Sequence, residues 1–190
     1  MICAFRIVTC YRKMKYAVFG DSYISRLERY THGKLEINRQ CKFFGVPGMS
    51  TTKKFQDAFE QLLAYRPRYV FLNLGGNSFI ADCNPHTVYL EIIDIVDKMY
   101  KAGVQRVFVA SIIERGKFPH WTGLNRSIFN KMRNSVNSKL KKYYREDFIQ
   151  IGKRLKFDRH YDDDKVYPGL QQGGLKLFKY CVLNALKKTL

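Results

Sequence analysis

The sequence is poor in the residues that build disulfide frameworks, linkers and membrane spans. Its five Cys are widely spaced without a CxxC pair, which argues against both a disulfide framework and a structural zinc site. Five Pro and 13 Gly are too few for a linker or fibrous protein. No apolar run approaches the roughly 18 residues of a membrane span, and residues 1–10 lack the regions of a secretory signal. These absences predict a single domain in a reducing compartment, cytoplasmic or nuclear.

Acidic residues are scarce as well. The 190 residues carry 34 Lys and Arg against 16 Asp and Glu, a formal net charge of +18, and 21 of those 34 basic residues lie beyond residue 95. Such asymmetry suggests a polyanionic partner, either nucleic acid or an anionic membrane surface. The alternative is a solvated surface that is merely basic. Hydrophobic residues make up 46% of the chain and aromatic residues 15%, which predicts a packed core.

Short apolar runs alternate with longer helical patterns along the chain. The runs are rich in Val, Phe and Tyr, as buried parallel strands are, and they cover Lys15–Phe19, Gln40–Phe44, Arg68–Leu74, Arg106–Ser111 and Asp147–Ile151. The main helical patterns cover 51–65, 84–101, 123–145 and 174–188. Strands that alternate with helices form right-handed βαβ units. The prediction is an α/β protein, a three-layer α/β/α sandwich around a mostly parallel five-stranded sheet.

Three loops that follow predicted strands contain a candidate nucleophile and candidate hydrogen-bond donors. Ligands of such sheets bind beyond the carboxyl ends of the strands, where these loops meet. Ser22, in the segment Gly20-Asp21-Ser22, follows the first strand at the start of a helix and is a candidate nucleophile. Gly48 and Asn77 follow the second and third strands, and their N–H groups are suitable donors to an oxyanion. Each feature alone is also ordinary turn chemistry, but the combination predicts a site.

The ordered segments GDSYISRL, GVPGMST and LGGNSF, with a late loop that contains Asp, resemble the SGNH/GDSL hydrolase superfamily. The likeness extends from about Tyr16 to the end, so 1–14 is expected to be an extension and 15–190 the domain. The resemblance implies a flavodoxin-like sandwich, a Ser22 nucleophile, and an oxyanion hole formed by the Ser22 N–H, Gly48 and Asn77. It further implies hydrolysis of a small carboxylic or acetyl ester without a cofactor.

The late loop departs from the pattern of the superfamily, which has Asp-x-x-His at this place. Asp164 matches the Asp, but Tyr167 stands where the His is expected. A phenol with a pKa near ~10 is a poor general base at neutral pH. His160, four residues before Asp164, is the other candidate base. Ser78 also replaces the Asp that usually follows the Asn of the third segment.

Other groups have less specific interpretations. His120 and Trp121, after the fourth strand, are expected to form a wall of the substrate site. The acidic residues at 162–164 lack further carboxylates or His at metal-ligand spacing, so no metal is expected. The long basic helix is the candidate polyanion-binding element, through Arg126, Lys131, Arg133, Lys139, Lys141, Lys142 and Arg145.

Two hypotheses follow from the sequence. One is a serine esterase of the SGNH type whose activity is weak or lost because of Tyr167. The other is an inactive domain of that fold that binds nucleic acid or another polyanion through its basic half.

Overall fold

A computed structural model describes residues 14–37, 40–163, 165–169 and 173–189. Apart from Met14, the predicted N-terminal extension lies outside the described residues. Five strands form one sheet in the order β2-β1-β3-β4-β5, and every neighbouring pair is parallel. The strands are β1 (Lys15–Gly20), β2 (Gln40–Gly45), β3 (Tyr69–Asn73), β4 (Arg106–Ala110) and β5 (Phe148–Ile149). This is the flavodoxin-like strand order, in which the chain changes direction across the sheet beside β1.

The helices connect the strands and close the chain. Their bounds are α1 (Ser22–Tyr30), α2 (Gln56–Tyr65), α3 (Pro85–Lys101), α4 (Arg126–Tyr144), α5 (Phe157–His160) and α6 (Gly174–Lys187). Asn84 caps α3 as its sequence predicts, because its Oδ1 accepts from the His86 N–H at 2.9 Å and Pro85 occupies the first helical position.

Two hydrophobic cores lie on opposite faces of the sheet. Alternate residues of each strand point to opposite faces, so Ala17 and Phe19 join one core and Tyr16 and Val18 join the other. The first core includes residues of α2, α3 and α4, and the second includes residues of α1 and α6. The prediction of a three-layer α/β/α sandwich is therefore confirmed.

The bounds differ from the predictions where local chemistry overrides the apolar pattern. The helical pattern predicted from residue 51 begins as a helix only at Gln56, because residues 51–54 form a bend around Ser50, whose Oγ accepts from the Lys53 N–H at 2.8 Å. The fifth strand has only two residues, since 3-10 turns precede and follow it. Among the described residues, no helix combines the length and the apolar character that a membrane span requires.

Candidate active site

The first three strand ends meet at the same level of the sheet. Gly20, the last residue of β1, pairs with Gly45 of β2 and with Asn73 of β3. A side chain at residue 20 has no room, because a Cβ there would lie 2.0 Å from the Asn73 carbonyl oxygen. The Val46 N–H donates to the Gly20 oxygen at 3.0 Å and ties the second loop to the first. The loops that carry Ser22, Gly48 and Asn77 therefore start from one edge of the sheet.

Ser22 is the first residue of α1. Asp21 caps this helix, because its Oδ1 accepts from the Tyr23 N–H at 3.0 Å. Ser22 is 6% exposed, and in the described part of the chain no group hydrogen-bonds its hydroxyl. The first N–H groups of a helix lack intrahelical partners, and they carry positive potential. Ser22 thus combines an unengaged hydroxyl with a free N–H at the positive end of a helix.

Three N–H groups from three loops are open to a ligand. Neither the Ser22 N–H nor the Gly48 N–H has a hydrogen-bond partner among the described residues. Gly48 has a φ of +76°, a left-handed conformation that favours glycine. Asn77 uses one amide hydrogen to bond the Met49 carbonyl at 3.0 Å, which leaves its second amide hydrogen for a ligand. Unpaired N–H donors are the kind of group that an oxyanion hole uses.

Arg115 is a further member of the site that the sequence analysis missed. It lies in the loop after β4 and is 7% exposed, although arginine is seldom fully buried. Its Nη2 donates to the Asn77 Oδ1 at 2.9 Å. The same rule that located Ser22, Gly48 and Asn77 applies to this residue, since its loop follows a strand at the same edge of the sheet. From sequence alone, however, an arginine in a loop is expected to be a solvent-exposed charge.

Asp21 has an unusual electrostatic environment. Burial raises the pKa of its carboxyl from 3.8 to about 6, although the Tyr23 N–H and the positive charge of Arg115 oppose this shift. The carboxylate is therefore ionised at neutral pH at a cost in folding free energy. Asp21, the residue before Ser22, and Arg115 are thus two buried charged groups that interact with each other.

Ser78, which replaces the usual Asp, links two of the loops. Its Oγ accepts from the Thr51 N–H at 3.1 Å and lies 2.9 Å from the Thr51 Oγ1. Thr51 in turn donates to Glu91 Oε2 on α3. The loop of Gly48 is thereby fixed to the loop of Asn77 and to a helix.

The base position lies on the loop at 161–169. Asp164 is outside the described residues. The Tyr167 ring packs against Tyr23 with 5.5 Å between ring centroids, and the Arg26 guanidinium stacks 3.6 Å from its centroid. Arg26 lies one turn after Ser22 on the same side of α1. This loop is therefore held against the helix that carries the candidate nucleophile.

His160, the second candidate base, is turned toward its own helix. Its Nδ1 accepts from the Lys156 N–H at 2.9 Å, and burial and neighbouring cations lower its pKa. That bond occupies the lone pair of one ring nitrogen and places the proton on the other. In this arrangement the imidazole has no lone pair left to accept the Ser22 proton.

Gly48 and Asn77, but not Ser22, line a cavity of about 590 Å³. Arg115 lines it as well, and its aromatic and apolar lining residues are Phe79, Ile80, Cys83, Val88, Phe118, Trp121 and Leu124. Trp121 is 69% exposed and faces Lys53, whose Nζ lies 5.5 Å from the ring centroid. His120 is exposed at the start of the 3-10 turn His120–Thr122. Of the two residues predicted to form a wall of the substrate site, Trp121 lines this cavity and His120 is not among its lining residues.

The basic residues of α4 fall into two groups. Glu114 engages Arg126 at 2.9 Å and Arg133 at 3.7 Å. The remaining residues of the predicted set are exposed, namely Lys131, Lys139, Lys141, Lys142 and Arg145. Lys139 lies 3.1 Å from His86 Nδ1, and the ion pairs among the described residues include none of the five. The free positive charge is thus concentrated on the outer side of the helix.

Solved structures similar to this chain include lipases and esterases. A GDSL-like lipase from Bacteroides thetaiotaomicron shares 17% identity with a TM-score of 0.72, over 93% of this chain and 89% of that chain. The lipase/acylhydrolase from Enterococcus faecalis shares 14% identity with a TM-score of 0.68, over 93% and 96%. A carbohydrate esterase family 3 protein from Talaromyces cellulolyticus shares 14% identity with a TM-score of 0.64, over 93% and 97%.

Sequence comparison gives no corresponding result, because neither a family model nor a curated protein matches the chain. The structural similarity is nevertheless extensive and covers the sheet together with its helices. The chain therefore has the fold of the SGNH/GDSL hydrolases, which confirms the resemblance found in the sequence.

Proposed function

We propose that this protein is a serine esterase of the SGNH type that acts slowly on small carboxylic or acetyl esters. The observation that carries the proposal is that Ser22, Gly48 and Asn77 lie on loops that start from one edge of the sheet, each with an N–H that no described residue occupies. The solved structures of similar fold are lipases and esterases, which supports the same chemistry.

The proposed reaction has two stages. The Ser22 Oγ attacks the ester carbonyl carbon and loses its proton, and the carbonyl oxygen becomes an oxyanion that receives three hydrogen bonds. The tetrahedral species collapses, the alcohol leaves with a proton, and the acyl group remains on Ser22. Water then attacks the acyl-enzyme, and the carboxylic acid is released.

The missing imidazole affects both stages. In the Ser-His-Asp arrangement the His accepts the proton of serine and then that of water. With Tyr167 at this position, both protons pass to solvent, so acylation and deacylation are slow. Loss of one triad member lowers kcat by a factor of about 10⁴–10⁶. The remaining rate is still about 10³–10⁴ times the uncatalysed rate. We therefore expect measurable turnover only with activated esters.

Hydrolysis of p-nitrophenyl acetate by the wild type and Ser22→Ala tests the proposal. We expect slow turnover in the wild type and none above background in Ser22→Ala. Ser25→Ala is the matched control, because Ser25 lies on the same helix and uses its hydroxyl to bond the Ser22 carbonyl at 3.2 Å. Equal rates in wild type and Ser22→Ala refute an esterase centred on Ser22.

Polyanion binding is a second candidate function, which the exposed and unpaired cations of α4 favour. Lys131 and Lys142 lie on the same outer side of the helix, eleven residues apart or about three turns. Phosphate contacts from such a face release counterions, so affinity falls steeply with salt. We expect Lys131→Gln with Lys142→Gln to elute from heparin at lower salt than Arg126→Gln with Arg133→Gln, whose native charges face Glu114. The same elution for both pairs, or no retention of the wild type at low salt, contradicts this function.

A further inference from the structure

We propose that Arg115 is a positioning residue for the oxyanion hole, which fixes the carboxamide of Asn77 and strengthens its free N–H as a donor. This inference rests on the proposed function, since it assigns a role within the same site. Arg115 follows β4, so a fourth strand-end loop joins the three that carry Ser22, Gly48 and Asn77.

The carboxamide of Asn77 is held at both ends. Arg115 Nη2 donates to its Oδ1 at 2.9 Å, and its Nδ2 donates to the Met49 carbonyl at 3.0 Å. A guanidinium only donates and a carbonyl only accepts, so this pair of partners defines which amide atom is oxygen and which is nitrogen. Two hydrogen bonds therefore set the direction of the second amide hydrogen, the one available to an oxyanion.

Arg115 is poorly compensated as a structural residue. It is 7% exposed, its Nε is buried without a hydrogen-bond partner among the described residues, and the ion pairs found there do not include it. Burial of a charge without a paired carboxylate costs folding free energy. Asp21 is close enough for its carboxyl to sense the positive charge of Arg115, but the hydrogen bond of Nη2 goes to the neutral Asn77. Arg115 also interacts with the buried Tyr23 hydroxyl, so its charge lies among Asp21, Tyr23 and the Asn77 carboxamide, and of these three groups Asn77 is the one that carries an unengaged N–H.

The positive charge acts on the amide in a defined direction. A cation at Oδ1 draws electron density toward the oxygen and makes the opposite N–H more positive, as in other charge-assisted hydrogen bonds. The effect is largest when negative charge develops on the ligand, and the surrounding burial limits screening by water. We therefore expect Arg115 to affect the transition state more than the binding of a neutral ester.

The loop of Arg115 is itself anchored. The Gly116 N–H donates to the Lys165 carbonyl at 2.7 Å, and a Cβ at residue 116 would lie 2.5 Å from the Phe157 ring. Arg115 is thus held between the loop of Asn77 and the loop of Tyr167. A guanidinium fixed in this way needs little rearrangement during the reaction.

The test compares Arg115→Met and Arg115→Gln with Lys117→Met, which removes an exposed cation from the same loop. Two measurements are made, the side-chain amide resonances of Asn77 by ¹⁵N NMR and the kinetics on p-nitrophenyl acetate. In the wild type we expect two well-resolved Asn77 amide hydrogens, assigned by their loss in Asn77→Ala, of which the one bonded to the Met49 carbonyl exchanges slowly with water. Both Arg115 variants should speed this exchange at least tenfold, and Lys117→Met should leave it unchanged.

For kcat we expect a loss of about 10–100-fold in both Arg115 variants, with KM within about twofold of the wild type. The unfolding temperature should fall modestly, because both variants lose the hydrogen bond to Asn77 and the positive charge that favours the buried Asp21 carboxylate. If Arg115→Met fails to fold, Arg115→Gln, which keeps a hydrogen-bond donor, is compared with the wild type instead. Unchanged Asn77 exchange in a folded Arg115 variant overturns the inference. Absence of Ser22-dependent hydrolysis in the wild type instead overturns the proposed function, while the NMR result still decides the role of Arg115.

Discussion

The proposed Ser22 site has two sides, an oxyanion side with Gly48, Asn77 and the positioning residue Arg115, and a base side with Tyr167. On the oxyanion side the donors come from several loops, and hydrogen bonds fix the carboxamide of Asn77 at both ends. On the base side an aromatic ring fills the space against α1, stacked with the Arg26 guanidinium at 3.6 Å. The first side holds the proposed oxyanion donors, and the second has the Tyr167 ring where the pattern of the superfamily has a His.

This difference separates two parts of catalysis that usually occur together. Charge stabilisation depends largely on backbone N–H groups, which the strand ends and the α1 terminus position whatever the neighbouring side chains are. Proton transfer depends on a single side chain and is lost with one substitution. A protein can therefore keep the first part in full after it has lost the second.

The largest effect is expected for Tyr167→His, which tests the base side directly. A general base contributes about 10²–10⁴ to a proton-transfer step, and an imidazole on this loop would lie against the helix of Ser22. We expect kcat for p-nitrophenyl acetate to rise by about 10–100-fold, with a pH profile that follows an imidazole pKa near ~6.5. Tyr167→Phe is the control, because it keeps the ring that packs on Tyr23 and Arg26 and should not gain activity. A Tyr167→His variant that folds and gains nothing would mean that the loop does not present residue 167 to Ser22.

Asp21→Asn tests the electrostatics of the oxyanion side. The pKa of Asp21 is about 6 in the folded chain and 3.8 for an ordinary Asp, so between these values the native state binds more protons than the unfolded state. Stability contributed by this group is then highest below pH 3.8, falls as the pH rises, and levels off above about 6. Asn caps a helix as well as Asp does and carries no charge to bury.

We expect Asp21→Asn to be more stable than the wild type above pH 6, by at most about 3 kcal/mol. The difference should shrink toward pH 4. Urea denaturation of both proteins across this range measures it, and Asp57→Asn, on the exposed side of α2, is the matched control. A stability difference that is independent of pH would show that Asp21 does not carry the assigned charge.

The smallest effect is expected for Ser78→Ala, which loosens the tie between the loops of Gly48 and Asn77. The hydroxyl bonds both the N–H and the Oγ1 of Thr51, and loss of such a bond costs about 1 kcal/mol. We expect a similar loss of stability and a fall in kcat below tenfold. Ser50→Ala, which removes the bonds within its own turn, is the comparison. A kcat loss as large as that expected for Arg115→Met would place Ser78 closer to the chemistry than its contacts indicate.

The sheet and most of its helices could be predicted because their hydrophobic patterns are strong and their ends carry ordinary signals. Asn84 and Pro85, for example, mark the start of α3 as expected. The fifth strand and α5 were harder, since a two-residue strand and a four-residue helix have too little length for a period.

Within the site, the strand-end rule located Ser22, Gly48 and Asn77 because their loops immediately follow apolar runs. It did not identify Arg115, since the sequence shows that this side chain is charged but not that it is buried. The basic helix shows the same limit. The sequence predicts Arg126 and Arg133 as part of one continuous basic surface. In the structure both form ion pairs with Glu114, which lies in another part of the chain.

The most direct measurement is the mass of the protein during prolonged exposure to p-nitrophenyl acetate, followed by mapping of the modified peptide. Without an imidazole, water attacks the acyl-enzyme slowly, so one acetyl group should accumulate on Ser22 in the wild type and in Ser25→Ala. Ser22→Ala should lack this adduct, and Tyr167→His should lose it as turnover increases. Acetyl groups found only on lysine side chains, with the Ser22 peptide unmodified, would contradict a nucleophile at Ser22 and the hydrolase site built around it.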